Sequence, residues 1–381
     1  MARRIPQAMN HLRAPLMGVR QGGRQSIVKN IQYGSISIGS GNTSNTATIT
    51  SVDTSNSLIF WLGSYNTSAT TNQDMIANVA LTNATTVTAT RSHGGTNTCV
   101  ARFVVIEFIP GVLTSVQRGT ITIASGSTSN TATITSVSEN VAFFNCLGYR
   151  STNSSAERID SAFATVDLTA ATTVTATRGV NDSFDTIVGY QVAEFSTNYI
   201  HRTAKVSAAL SAANGLLTLT GALGTAISTY PQGGVPFVAF AGLKPAGSAC
   251  ADAFFSASHE FSTNSTYKLM HVRDVAGGST SGTICNSIIF FKQDYIKSSF
   301  VLTIPLIGAA SATDTMPANE TASKTLLSLS GYRSNSSTAI GSAGSLQKVV
   351  GAIYYDGANL VANRGSATDN LYVQANVIEF V

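Results

Sequence analysis

Residues 38–52, IGSGNTSNTATITSV, recur as residues 123–137, IASGSTSNTATITSV, 85 positions further along the chain. A sequence that repeats itself over such a distance must fold as copies of one supersecondary unit, because each copy carries the same pattern of faces to bury. The agreement continues beyond that stretch. Leu62-Gly63 matches Leu147-Gly148, and ATTVTATR runs from Ala84 to Arg91 and again from Ala171 to Arg178. Each copy then closes alike, on VVIEF (Val104 to Phe108) and on QVAEF (Gln191 to Phe195).

A further copy ends the chain. LSGYRSNSS from Leu329 matches LGYRSTNSS from Leu147, LVANR ends at Arg364, and NVIEF ends at Phe380. Between them, residues 199–296 are divergent, yet LMHVR (Leu269 to Arg273) and SIIFF (Ser287 to Phe291) stand where the pattern requires them. The repeated arginines Arg91, Arg178, Arg273 and Arg364 lie 87, 95 and 91 residues apart. The expected organisation is therefore an arm over residues 1–30 and repeats over 31–110, 111–198, 199–296 (divergent) and 297–381.

Within a repeat, short runs of alternating polarity are separated by Gly, Asn and Ser clusters, the pattern of strands joined by turns. In the first repeat, strands are expected at Ile31–Ile38, Thr46–Val52, Ser57–Gly63, Met75–Leu81, Thr85–Arg91 and Cys99–Phe108. The last of these is apolar on both parities, which suits a central strand covered on both faces. Charged residues make up only 11% of the 381 residues and hydrophobic ones 43%, and no long stretch shows helical periodicity. The fold class that follows is all-β: tandem antiparallel β-sandwich units of immunoglobulin-like size behind an extended basic N-terminal arm, with a jelly-roll variant left open. Units in series imply an elongated molecule. The low charge leaves few edge lysines, so sheet edges must be covered by neighbouring units or subunits.

The charge is unevenly placed. Arg3, Arg4, Arg13, Arg20, Arg24 and Lys29 give residues 1–30 a charge of +6 with no acidic residue, so the rest of the chain, out of a total of +4, sits at −2. Pro6, Pro15, Gly22 and Gly23 interrupt this segment, and Ile5, Met9, Leu12, Leu16 and Val19 give it an apolar content that a polycation lacks. That mixture suits an extended peptide docking in a protein groove, and is favoured over nucleic-acid contact. The twin arginine at Arg3 and Arg4 is followed by no apolar run of signal-peptide length, and no run reaches a membrane span. Synthesis in the cytoplasm of a host without membrane insertion is expected.

Chemistry-bearing motifs are sparse. Cys99, Cys146, Cys250 and Cys285 lack CxxC spacing and read as isolated thiols, although Cys250 and Cys285 share a repeat and could bridge. His11, His93, His201, His259 and His271 fall in unrelated contexts, so no metal, cofactor or catalytic set is expected and the chain reads as non-enzymatic. Arg91 and Glu107 recur as Arg178 with Glu194 and Arg364 with Glu379, but strand geometry puts them about 30 Å apart, at the hairpin tip and the exit of each unit. A tip arginine is ordinarily solvated; the alternative for Arg91, Arg178, Arg273 and Arg364 is a repeated contact with a neighbouring subunit or ligand. Trp61, Tyr149 and Tyr332 fall in or beside strands and read as core.

Taken together, TITIASGSTSNTATITSV, LGY, LTAATTVTATR and the closing VxEF resemble repeats of structural proteins of tailed bacteriophages, the tail, fibre and minor virion proteins. The resemblance is clearest over residues 31–198 and 298–381. It implies a virion structural protein of tail, neck or fibre, held to other virion proteins by its arm and forming a homo-oligomer, and it transfers no catalytic residue. Capsid decoration on the head surface and a receptor-binding adhesin for host surface glycans are the alternatives.

Overall fold

The computed structural model describes residues 25–66, 75–152, 162–210, 215–220, 234–246, 268–273, 281–316, 321–334, 351–365 and 370–381. Most of them are in antiparallel strands, with no helix beyond isolated single turns among the described residues. The first segment holds β1 (Val28–Ile38), β2 (Ser44–Thr48), β3 (Ser57–Asn66), β4 (Asn78–Asn83), β5 (Thr86–Thr90) and β6 (Cys99–Phe108). All six expected strands are present there, displaced by a few residues at their ends.

The second segment repeats them as β7 (Leu113–Ile123), β8 (Ser129–Thr133), β9 (Ala142–Ser151), β10 (Ala164–Ala170), β11 (Thr173–Arg178) and β12 (Thr186–Phe195). In the third, the described strands are β13 (Ile200–Leu210), β14 (Gly215–Thr220), β15 (Gly234–Ala246), β16 (Lys268–Arg273) and β17 (Ser281–Lys292). The fourth holds β18 (Ile296–Ile307), β19 (Ser311–Thr315), β20 (Thr325–Ser334), β21 (Gly351–Tyr355), β22 (Asn359–Arg364) and β23 (Asn370–Phe380).

Pairing follows one rule throughout. In the first segment the orders are β1-β6-β3 and β2-β5-β4; the inner sheets β7-β12-β9, β13-β17-β15 and β18-β23-β20 repeat the former. The closing strand is always central, which is why VVIEF and its relatives are apolar on both parities: β6 is buried on nearly every residue. One correction concerns the arm. Val28–Asn30 already belong to β1, so Lys29 is a strand residue, and Arg3, Arg4, Arg13, Arg20 and Arg24 lie outside the described residues.

The segments do not string out as an elongated chain. They close on one another around a shared core that draws buried residues from all four. The last aromatic residue of each closing strand decides the arrangement. Phe108, Phe195, Phe291 and Phe380 form a closed square, with ring centroids 5.8 Å apart for Phe108 and Phe195, 5.9 Å for Phe195 and Phe291, 5.4 Å for Phe291 and Phe380, and 6.1 Å for Phe380 and Phe108. Every one of these pairs is edge to face, with interplanar angles of 79°, 87°, 86° and 83°. This geometry sets the positive ring edge against the negative face and contributes about 0.5–1.5 kcal/mol per pair beyond area burial. Strands β3, β9, β15 and β20 run beside this axis, each in contact with the next and β20 with β3.

Close approach of backbones makes the closure possible. Gly63, Gly148, Gly242 and Gly331 occupy equivalent places, each at a break in register and each with positive φ. Gly63 pairs with Ala352 of the fourth segment and Gly242 with Thr165 of the second, so sheets run on from one segment into its neighbour. At Gly148 a Cβ would stand 2.6 Å from the Ala77 carbonyl oxygen and 3.1 Å from Trp61 Nε1. Both the left-handed backbone (φ +96°) and the contact demand glycine.

The outer edges are guarded differently. Hydrogen bonds from Arg91 N to Thr43 O and from Ile49 N to Thr85 O fix β2 so that the amides of residues 44, 46 and 48 face outward. Asn45 Oδ1 accepts from the Thr46 amide at 2.8 Å while its Nδ2 donates to Ser37 O at 2.8 Å. Asn130 does the same for Thr131 and Thr122 in the second segment. The repeated SNTAT therefore blunts an edge by satisfying its own amide, where other proteins place a lysine.

Gly148→Ala is expected to lower unfolding free energy by roughly 2–4 kcal/mol, the left-handed penalty plus overpacking. A denaturant titration with unchanged m-value checks it; a loss below about 0.5 kcal/mol would contradict the cradle.

Candidate functional site

Four sets of repeated side chains carry the sequence's candidate sites, and the structure assigns most of them to holding the chain together. The arginines come first. Arg91, Arg178 and Arg364 do not stand at the expected hairpin tips: β5 and β6, β11 and β12, and β22 and β23 belong to different sheets, so each arginine opens a loop that crosses between sheets. They are 1%, 1% and 2% exposed, not solvated. Arg91 Nε donates to Asn42 O at 2.9 Å, and its terminal nitrogens donate to Asn97 O and Gly39 O at 2.8 Å each. In Arg178, Nε donates to Ser127 O, and the terminal nitrogens reach Phe184 O at 2.7 Å, Thr186 Oγ1 at 3.0 Å and Ala124 O at 3.1 Å. Arg364 repeats the pattern on Ala309 O and Leu306 O.

The reason is geometric. In the first, second and fourth segments two turns converge at the tip with carbonyls that no strand satisfies, and a guanidinium offers five donors in a rigid fork. Burial holds the Arg178 pKa below its usual range, while Asp182 and Asp185 oppose that shift. With their donors committed to loop carbonyls, these arginines shape the tip loops. Arg273 lies in β16, and its side chain is outside the described residues.

The repeated glutamates serve the opposite end. Glu107, 2% exposed, accepts from Lys29 Nζ at 2.7 Å and from the Asp53 amide at 2.9 Å. Glu379 accepts from Lys297 at 2.9 Å and from the Thr321 amide at 2.8 Å. Glu194, with Thr114 in the lysine's place, accepts from the Ser138 amide at 3.1 Å. Each carboxylate thus pins the chain entering its β3-type strand. In the third segment Phe290 replaces the glutamate, and the Arg202 guanidinium lies 5.9 Å from its ring. The lysine partners were open to detection: VKNIQY from Val28 aligns with IKSSFV from Ile296.

The seams between segments are polar and each is built differently. An inner strand turns its edge amide toward the next segment, where no strand pairs with it, so a side chain must take its place. Ile59 N–H donates to Gln191 Oε1 at 3.1 Å, and Gln191 Nε2 returns a bond to Ile59 O at 3.2 Å. Phe144 N–H donates to Ser287 Oγ, and Val238 N–H to Asn376 Oδ1, both at 3.2 Å. Gln191, Ser287 and Asn376 all stand four residues before the closing phenylalanine. In the first segment that position is Val104, and Tyr33, directly opposite it in β1, supplies the oxygen: Leu327 N–H donates to Tyr33 Oη at 3.1 Å. The Tyr33 hydroxyl donates in turn to Thr325 O at 2.7 Å, and burial raises its pKa well above the usual phenol value.

At the seam of the first two segments Arg118 Nε donates to Gln191 Oε1 at 2.8 Å, and its terminal nitrogens reach Thr54 O and Ser57 O. Burial pulls this guanidinium down to about 10, still charged at neutral pH. Beside it opens a cleft of about 280 Å³ lined by Asn78, Val79, Leu81, Arg118, Thr120 and Leu147. That lining holds no acid–base pair.

Cys99, Cys146 and Cys285 are buried thiols, and Cys285 is in no disulfide; Cys250, considered as its partner, lies outside the described residues. Burial pushes the Cys146 thiol up to about 12 and Cys285 to about 11, which leaves both inert as nucleophiles near neutral pH. Trp61, Tyr149 and Tyr332 are core residues, at 3%, 0% and 1% exposure. Among the described residues no group of three or more His, Cys, Asp or Glu could hold a metal ion, and no helix is long and apolar enough to cross a membrane.

No protein-family model and no curated protein matches the chain. One solved structure, described as the triple jelly roll fold and turret assembly in an archaeal virus, aligns over 92% of this chain and 90% of that one at 11% identity, with a TM-score of 0.14. A likeness of that degree carries no argument about this chain.

Arg178→Met keeps the packed stem and removes the donors, leaving at least three carbonyls of half-buried turns without the buried guanidinium that bound them. A loss of about 3 kcal/mol is expected. Thermal or denaturant unfolding checks it, and Arg178→Lys recovers only part of the loss, because a point charge cannot span the fork.

Proposed function

We propose that the chain is a non-enzymatic structural protein of a bacteriophage particle, a tail, neck or fibre component anchored through residues 1–24. Each segment serves as a two-sheet sandwich wound in jelly-roll order; in the first, second and fourth the first strand pairs with the sixth and the second with the fifth. The resemblance of the repeats to tail and fibre proteins supplies the location. What carries the rest is the polarity of the molecule.

In each inner sheet the closing strand starts beside the tip loops and ends at the phenylalanine square, as the pairing of Ile38 with Cys99 and of Val28 with Phe108 requires. The four squared phenylalanines therefore mark one pole and the arginine-held turns the other. The links between segments lie at the phenylalanine pole, where Ile109 N bonds Ile27 O and Val381 N bonds Tyr295 O. Residues 1–24 join the fold at Gln25, on that same pole. An anchor at one pole leaves the described tip loops, those of the first, second and fourth segments, facing away from the particle, a division that suits a projecting virion component.

Particles assembled with a chain lacking residues 1–24 test this. Loss of incorporation, with the isolated truncated protein still folded, is expected. Incorporation at full occupancy would overturn the anchoring.

A further inference from the structure

The outer edge of the fourth segment is built unlike those of the first and second. Strand β19 ends the six-stranded sheet β1-β6-β3-β21-β22-β19. Bonds from Arg364 N to Ala310 O and from Met316 N to Ala358 O fix its phase, so residues 311, 313 and 315 turn their amides and carbonyls outward. In β2 and β8 the matching outward amide is taken by Asn45 or Asn130. Register places Ala312 at that position in β19, with no side-chain oxygen to offer.

A second departure lies on the same turn. Ile307, 60% exposed, is the large hydrophobic residue left in solvent among the described residues. Its counterparts are Gly39 and Ala124, neither of which presents an apolar side chain of that size. The turn that follows is Gly308-Ala309-Ala310, where the first segment has a longer polar one. An unguarded strand edge beside an exposed isoleucine is what a protein that stays monomeric avoids.

We infer that β19 pairs with β19 of a second copy of this chain, antiparallel about Thr313, to join two molecules through one continuous sheet. The strand is self-complementary in this register. Ser311 faces the second copy's Thr315, Thr313 faces its own equivalent, and Ala312 faces Asp314, so the two aspartates never stand opposite each other. Residues 311, 313 and 315 of each copy exchange about six backbone hydrogen bonds. An edge of five residues buries less than the roughly 1,000 Å² of a permanent interface, so the dimer is reversible and depends on concentration. The inference rests on the fold alone and stands apart from the particle reading.

Sedimentation velocity of the full chain over a concentration series tests it. Wild type should pass from one chain to two as concentration rises. Thr313→Pro removes the central outward donor from an edge strand, where proline is tolerated, and Ala312→Asn restores the residue of β2 and β8. Each should weaken association by about tenfold or more, with circular dichroism unchanged. A wild-type chain that stays single throughout overturns the inference. So does a dimer that persists in a folded Thr313→Pro, or in Ala312→Asn if the proline variant does not fold. Loss of the dimer on deleting residues 1–24 would assign the edge to that segment, and would equally overturn it.

Discussion

Four phenylalanines from four distant parts of the chain must reach one another edge to face, and that requirement governs the packing of everything around them. Each sits at the end of a central strand, so meeting at the axis aligns the four inner sheets and sets every segment in the same orientation. Once aligned, β3, β9, β15 and β20 are too close to the neighbouring sheets for side chains at Gly63, Gly148 and Gly242. The glycine bulges are thus a consequence of closure and also its condition. The same alignment sorts the remaining groups by pole, buried carboxylates at the end of the square and buried guanidinium groups at the tips.

Repetition explains the common architecture, but the seams show where the copies have parted. Each inner strand presents one amide that needs an acceptor from the next segment, and the four acceptors are an amide, a hydroxyl, another amide and a phenol. Such seams are not interchangeable. Gln191 suits a strand with both an amide and a carbonyl to satisfy, while Tyr33 enters from a different strand because Val104 has lost the polar group. A buried donor left without its partner costs about 1–3 kcal/mol. Mismatched seams would therefore be penalised, and a single covalent order of segments is reinforced by the chemistry between them.

Much of this was open to reading in the sequence, because strand periodicity and repeats are local signals. The apolar double face of Cys99–Phe108 gave away a central strand, and the positions of Trp61, Tyr149 and Tyr332 gave away core. The ring closure was not open to reading: Phe108, Phe195, Phe291 and Phe380 are separated by 87, 96 and 89 residues, and nothing local says that they touch. Tip arginines looked solvated because hairpin tips usually are. What hid their burial was the convergence of a second turn, 49 to 52 residues earlier for Arg91, whose carbonyls need a donor. Lys29 looked like part of a basic arm because charge alone does not distinguish a tail from the first turn of an edge strand. Its partner Glu107 lies 78 residues on.

Closure of the four segments around one axis is tested most directly by small-angle X-ray scattering of the purified chain. A compact body of this length has a radius of gyration of about 21 Å, and the N-terminal residues add a few ångströms. A value of about 21–24 Å is expected. Four separate bodies of about 90 residues in a row would give roughly 30 Å or more, and a concentration-independent value in that range would contradict the closed arrangement.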